Sequence, residues 1–125
     1  QWDDHEVLNN WYPGEVVADR PEYTIENRDD VLSARSRQAF HEYFPVGATV
    51  EHACQIYRRL SYGPNLDAFM LDMRTFRGAN GPDNQTVAGP DTAFLGEQHV
   101  AWLVDALRRS KATWKVVAAD MPIGL

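Results

Sequence analysis

Apolar residues recur along this chain with two periods. Between Asp29 and Tyr43, Leu32, Ala39, Phe40 and Tyr43 fall at the spacing that gathers side chains on one face of a helix. Asn27 precedes the segment as a candidate cap with Asp30 three positions on, and Pro45 and Gly47 close it. Leu95, Trp102, Leu103, Ala106 and Leu107 form a second stripe and predict a helix from about Gly96 to Arg109. Short β-prone runs lie at Cys54 to Leu60, Leu66 to Arg74 and Thr113 to Ala119, with Tyr62-Gly63-Pro64-Asn65 as a turn between the first two. Trp2 reads as the end of a shortened strand. Asp3 to Glu26 and Gly78 to Pro90, rich in Gly, Pro, Asn and Asp, predict loops. The order loop, helix, two strands, helix, strand favours an α/β fold with a mixed sheet and two main helices.

Composition narrows the setting. The 125 residues, 44% of them hydrophobic, suffice for one compact domain. A net charge of -6, with no basic run longer than Arg58-Arg59 or Arg108-Arg109, argues against a surface for polyanions, so no stable nucleic-acid partner is expected. No stretch approaches the about 20 apolar residues of a membrane span. Cys54 stands alone, which excludes a disulfide within the chain, and its place in a β-prone run makes it a packing residue. His41, His52 and His99 have no motif partners and receive no role. Because the chain starts inside a carboxylate cluster and stops just after an apolar run, residues 1–125 are expected to be an internal piece of a longer protein.

That cluster, Asp3-Asp4-His5-Glu6, carries the chemistry. Carboxylates are hard oxygen ligands for cations such as Ca²⁺ or Fe³⁺, and an imidazole can bind metal or move a proton. Four consecutive side chains cannot all face one way, so a turn is expected to point Asp4 and His5 inward. Asn9-Asn10 adds amide oxygens. A solvated loop accounts for such a cluster equally well, and a non-catalytic Ca²⁺-binding module would need only Asp3, Asp4, Glu6 and Asn9. Arg58 and Arg74 could each fork two hydrogen bonds to a phosphate, or form an ion pair such as Asp72 with Arg74.

A wider pattern then weighs in. Asp3-Asp4-His5-Glu6 followed by Asn9-Asn10-Trp11, then Ile56-Tyr57-Arg58 with Tyr62-Gly63, Met70-Leu71-Asp72-Met73-Arg74, Leu95-Gly96 with Gln98 and Trp102-Leu103, and Thr113-Trp114-Lys115-Val116 with Asp120-Met121-Pro122, resembles the PhoD-type alkaline phosphatase and phosphodiesterase family. The blocks run in one order over essentially the whole chain. The resemblance implies part of a calcineurin-like metallophosphatase α/β/β/α sandwich, with residues 1–125 as an internal fragment of a single catalytic domain. It implies hydrolysis of phosphate mono- and diesters at a centre of Ca²⁺ and Fe³⁺. Metal ions in such a centre neutralise phosphoryl oxygens and activate water.

In the family's Gly-Asn-His-Glu or Gly-Asn-His-Asp motif, Asp4 stands where the ligand Asn would be and His5 where the catalytic His would be. Asn9 is the alternative metal ligand, and Asp3 and Glu6 are expected to orient the turn and His5. The family's cysteine ligand, its Asp and Tyr metal motifs and its Gly-Asp-Val-His block have no counterpart here, so the piece alone is expected to be inactive. The resemblance further implies export of the parent enzyme. A nuclease-like phosphodiesterase of the same fold is the other alternative, and nothing in the sequence indicates an oligomeric state.

Overall fold

The computed structural model describes residues 1–46 and 55–121. His52, Cys54, Gly47 and the start of the first predicted strand lie outside the described residues. Helix α1 spans Asp29–Tyr43 and α2 spans Glu97–Arg109; strands β1 (Arg58–Tyr62), β2 (Leu66–Met70) and β3 (Trp114–Ala118) form one sheet in that order. β1 and β2 are an antiparallel hairpin, and β2 and β3 run parallel, with α2 in the crossover between them. The expected mixed α/β architecture is thus present.

The element boundaries differ in instructive ways. The segment after Met70 leaves the sheet four residues earlier than predicted, because Asp72 draws the backbone into a turn: its Oδ1 accepts the N–H groups of Arg74 at 3.2 Å and Thr75 at 3.0 Å. Trp2 is in no strand; it is a core residue. Arg28, not Asn27, caps α1 and does so without a side-chain bond, while the Glu26 carboxylate accepts the Arg28 N–H at 3.1 Å. Only part of the predicted α1 stripe is buried. Phe40 is in the core and Leu32 packs against it, whereas Ala39 and Tyr43 are exposed. The loop from Gly78 to Pro90 is exposed, as its composition requires, and ends in a 3-10 turn at Pro90–Thr92.

The main core joins the N-terminal loop to α1. Trp2, Leu8, Trp11, Val17, Phe40 and Ile56 form one buried cluster, in which Trp2 meets Trp11 edge to face at 5.5 Å between ring centroids. Burying such rings is the dominant favourable term for a segment that has almost no regular structure of its own. On the other side of the hairpin, fully buried His99 of α2 stacks on Tyr57 at 4.2 Å. Burial lowers its pKa, which favours the neutral ring. The α2 end is tied to the sheet by the Ser110 hydroxyl, which donates to the Asp67 carboxylate; Asp67 also accepts from Ser61 at 2.6 Å and pairs with Arg59 at 3.2 Å.

The opposite sheet face is apolar and open. The register aligns Tyr62 with Leu66 and Trp114, and Leu60 with Ala68 and Val116. Tyr62, Leu60, Trp114 and Val116 are all substantially exposed.

One buried group opposes folding. Asp29, at the first position of α1, is 1% exposed, and its Oδ1 has no hydrogen-bond partner among the described residues. Burial, then the charges of Glu15 and Asp30, push its carboxyl up to about 6 against the pull of Arg37. A carboxyl raised in the folded state binds a proton more tightly there than in the unfolded chain. It therefore costs stability as pH rises from about 4 to about 6, on the order of 3 kcal/mol at neutral pH if the full gap is realised. Asp29→Asn is expected to raise the urea midpoint at pH 7 and to flatten the stability slope between pH 4 and pH 6. An unchanged slope would contradict this account of Asp29.

Candidate active site

A turn places the acidic cluster. The Val7 N–H donates to the Asp4 carbonyl at 2.9 Å, and the Glu6 carboxylate reaches back to the Asp3 N–H at 2.6 Å. Asn10 follows with φ of 58°, a left-handed conformation that asparagine tolerates better than most residues. Its N–H bonds Asp4 Oδ2 at 2.7 Å. Sequence reasoning expected both Asp4 and His5 to face inward. The turn sends them apart: Asp4 is 7% exposed, while the His5 side chain is 73% exposed.

The imidazole is nevertheless fixed. His5 Nε2 lies 2.9 Å from Asn9 Oδ1 and 3.9 Å from Asp4 Oδ1. The Asn9 hydrogen bond, then the Asp4 charge, raise the His5 pKa and favour the imidazolium. Burial disfavours the Asp4 carboxylate, but the Asn10 N–H, Arg74 and His5 outweigh it and hold its pKa below the ordinary value. An acid held below its ordinary pKa and an imidazole held above its own thus stand side by side. Such a pair can bind a cation with the one and deliver a proton with the other.

Arg74 is the hub beneath this turn. It is 3% exposed; its Nη2 is 3.1 Å from Asp3 Oδ1 and 3.7 Å from Asp4 Oδ2, and its Nε is 3.7 Å from Asp120 Oδ2. The expected surface pair with Asp72 is absent. Asp72 is buried and binds the Arg74 backbone instead, while Trp2 Nε1 donates to it at 3.0 Å. Arg58 lies elsewhere, over the Phe40 ring and donating to the Ile56 carbonyl at 2.8 Å. Among the described residues, none of its ion pairs or hydrogen bonds reaches Asp4 or His5.

Sequence reasoning missed Asp120 and the surrounding braces. Asp120 follows β3 as Asp72 and Arg74 follow β2, so these groups meet at the C-terminal ends of two parallel strands, where open α/β sheets build their sites. Neither Asp120 oxygen has a hydrogen-bond partner among the described residues. Burial first, with the charge of Asp3 adding to it, lifts its carboxyl to about 6 despite Arg74. The available signal was an acid set directly after a β-prone run. Two further braces hold the turn: Arg20 donates to the Asn9 carbonyl at 3.2 Å, and Arg77 donates at 2.8 Å to Asn80, which donates to the Asn10 carbonyl at 2.7 Å.

The donor set suits a hard cation in kind. Three carboxylates, Asp3, Asp4 and Asp120, face a single guanidinium, and Asp4, Asn9 and Asp120 offer the oxygen atoms that Ca²⁺ and similar ions take. Among the described residues no three His, Cys, Asp or Glu side chains converge tightly enough to enclose an ion.

Acidic groups, an imidazole and a buried arginine at the strand ends of a mixed α/β sheet define a class, that of α/β proteins with a polar site at the C-terminal ends of parallel strands. The particular family follows from comparison: residues 1–125 match the PhoD-like phosphatase family along their whole length, and the chain belongs to that family. It is 34% identical over 131 residues to alkaline phosphatase D of Bacillus subtilis (strain 168), covering 96% of this chain and 21% of the relative. A solved structure of PhoD superimposes with a TM-score of 0.67 at 25% identity, over 94% of this chain and 23% of the other. The chain therefore spans about a fifth of the length of the relatives it matches.

Proposed function

We propose that residues 1–125 are one portion of the catalytic domain of a metal-dependent phosphoric ester hydrolase of the alkaline phosphatase D type, and that the Asp3–Asn9 turn with Arg74 and Asp120 is one wall of its active site. The observation that carries this reading is the placement of Asp4 3.9 Å from His5 Nε2, with a buried arginine bracing Asp4 from beneath. Substrates are phosphate monoesters and diesters. The cations are Ca²⁺ and Fe³⁺, by membership of the family. Asp4 and Asp120 would hold them with Asn9, whose amide oxygen has two lone pairs and can serve His5 and a cation together. When bound, they supply positive charge for the phosphoryl oxygens.

The chain's own residues do the rest. Arg74 keeps the Asp4 carboxylate aimed, and Asp3 and Glu6 fix the turn. His5, whose Nε2 lies 2.9 Å from Asn9 Oδ1, gives a proton to the departing ester oxygen. The open apolar sheet face with Tyr62, Leu60, Trp114 and Val116 is where the remainder of the domain packs. The parent enzyme is exported, as the family resemblance implies.

The test compares the 125-residue chain with the complete enzyme on p-nitrophenyl phosphate and bis-p-nitrophenyl phosphate, with Ca²⁺ and Fe³⁺ supplied. The complete enzyme is expected to turn over and the short chain to show no appreciable rate. Equal rates would overturn the assignment of residues 1–125 as an incomplete site, and an inactive complete enzyme would overturn the phosphatase reading itself.

A further inference from the structure

Arg37 on α1 and Arg58 at the start of β1 are half-buried, and among the described residues neither forms an ion pair with a carboxylate. The core fixes both in place. The Arg37 guanidinium lies over the Trp2 ring at 5.3 Å and that of Arg58 over the Phe40 ring at 5.6 Å, and the two rings are 6.4 Å apart between centroids. His41, four positions after Arg37 and so on the same side of α1, meets the Phe40 ring edge to face at 5.5 Å. Three basic side chains therefore hang around one aromatic pair. Burial, then the charges of Arg58 and Arg37, lower the His41 pKa, as positive neighbours require.

Stacking on a ring satisfies only the face of a guanidinium, because its N–H donors lie in the plane and point outward at the edge. Arg58 gives one donor to the Ile56 carbonyl at 2.8 Å and Arg37 gives one to the Thr75 hydroxyl at 3.4 Å, while the Nε of each is buried without an acceptor. Both ring nitrogens of His41 are likewise buried and unpartnered among the described residues. Asp29 feels the charge of Arg37 but makes no ion pair with it. Cationic donors held together and removed from water call for an anion. A carboxylate fits, since its two oxygens match the guanidinium fork. The net charge of -6 works against capture of a free anion, whereas an acid on the same polypeptide is carried in by the fold.

We propose that Arg37 and Arg58 form a docking point for an aspartate or glutamate from the part of the parent domain outside residues 1–125. The length of the relatives supports this source, because the chain spans only about a fifth of it and most of the packing around α1 and β1 must come from elsewhere. The proposal rests on the reading of residues 1–125 as one portion of a larger domain, and adds the place and the chemistry of the join. Because Trp2 lies under Arg37 and donates to Asp72, the join bears on the core that carries the Asp3–Asn9 turn.

The test uses the complete enzyme with Arg58→Lys and, separately, Arg37→Lys, each of which keeps the positive charge and supplies a primary amine. A water-soluble carbodiimide then joins an amine directly to a carboxylate that touches it, and peptide mass spectrometry of the monomer band identifies the pair. At least one variant is expected to show a link, absent from wild type, between position 37 or 58 and an Asp or Glu outside residues 1–125. Links only to acids within residues 1–125, links only between chains, or no link from either variant would overturn the docking point. Calorimetric titration with inorganic phosphate is the second measurement. Arg58→Met should bind phosphate as wild type does, and phosphate binding lost in that variant would assign the cluster to a free oxyanion and overturn the docking point as well. A link found in a protein that hydrolyses no phosphate ester would uphold the docking point and overturn the phosphatase reading alone.

Discussion

Asp72→Ala is expected to lower stability by on the order of 3–5 kcal/mol. Asp72 is 1% exposed, and one of its oxygens accepts three hydrogen bonds: from Trp2 Nε1 at 3.0 Å, from the Arg74 N–H at 3.2 Å and from the Thr75 N–H at 3.0 Å. Removing that oxygen strands three donors, and each buried donor left without a partner costs about 1–3 kcal/mol. The loss is a large share of what a domain of this size possesses. It spreads, because Trp2 is the centre of the main core and the Arg74 backbone carries the guanidinium beneath Asp4. Urea denaturation measures it. Asp72→Asn keeps one carbonyl oxygen and should recover most of the stability, separating the hydrogen bonds from the charge. A midpoint for Asp72→Ala close to that of wild type would show that Asp72 is not the junction described.

How far this junction could be read in advance is informative. The helix periods were legible because α1 and α2 each bury one side, and the predicted span Asp29 to Tyr43 is the observed one. The hairpin turn was legible in Gly63, which has φ of 63°. The strand after Leu66 was overextended because Leu71 and Met73 alternate with polar residues as a strand would, yet Asp72 bends the backbone through contacts with residues that no local pattern encodes. The burial of Trp2 depends on Asp72, 70 positions away. Such long-range pairs leave no period in the sequence.

The site divides in the same way. Asp4, His5 and Asn9 are neighbours in sequence and so could be named together. Their directions could not, since these depend on the left-handed Asn10 and on a guanidinium from residue 74. Arg74 carries two hydrogen-bonding roles at once, through its backbone to Asp72 and through its side chain to Asp3. Read from sequence, it looked like half of a surface pair. Asp120 was hidden because a single acid after a strand acquires meaning only when the parallel neighbour delivers Arg74 to the same end of the sheet.

The second large effect concerns chemistry. His5 is exposed and its loss should leave the fold intact, so its substitution isolates the reaction from stability. Asn9 and Asp4 raise its pKa, which keeps a proton on the ring to higher pH than a free imidazole would and suits it to donate. As a proton donor to the leaving oxygen it should contribute about 10²–10⁴-fold. The contribution must depend on the ester. An alkoxide departs poorly without a proton, whereas p-nitrophenolate departs readily as the anion. His5→Ala should therefore damage alkyl ester hydrolysis far more than p-nitrophenyl ester hydrolysis, and should remove the fall in rate on the basic side that follows deprotonation of His5.

The most direct measurement is kcat of the complete enzyme and its His5→Ala variant on methyl phosphate and on p-nitrophenyl phosphate. A fall of about 10²–10⁴-fold on methyl phosphate, with a much smaller fall on p-nitrophenyl phosphate, is the predicted result. Unchanged rates on both esters, or equal losses on both, would contradict the placement of the catalytic proton on this turn.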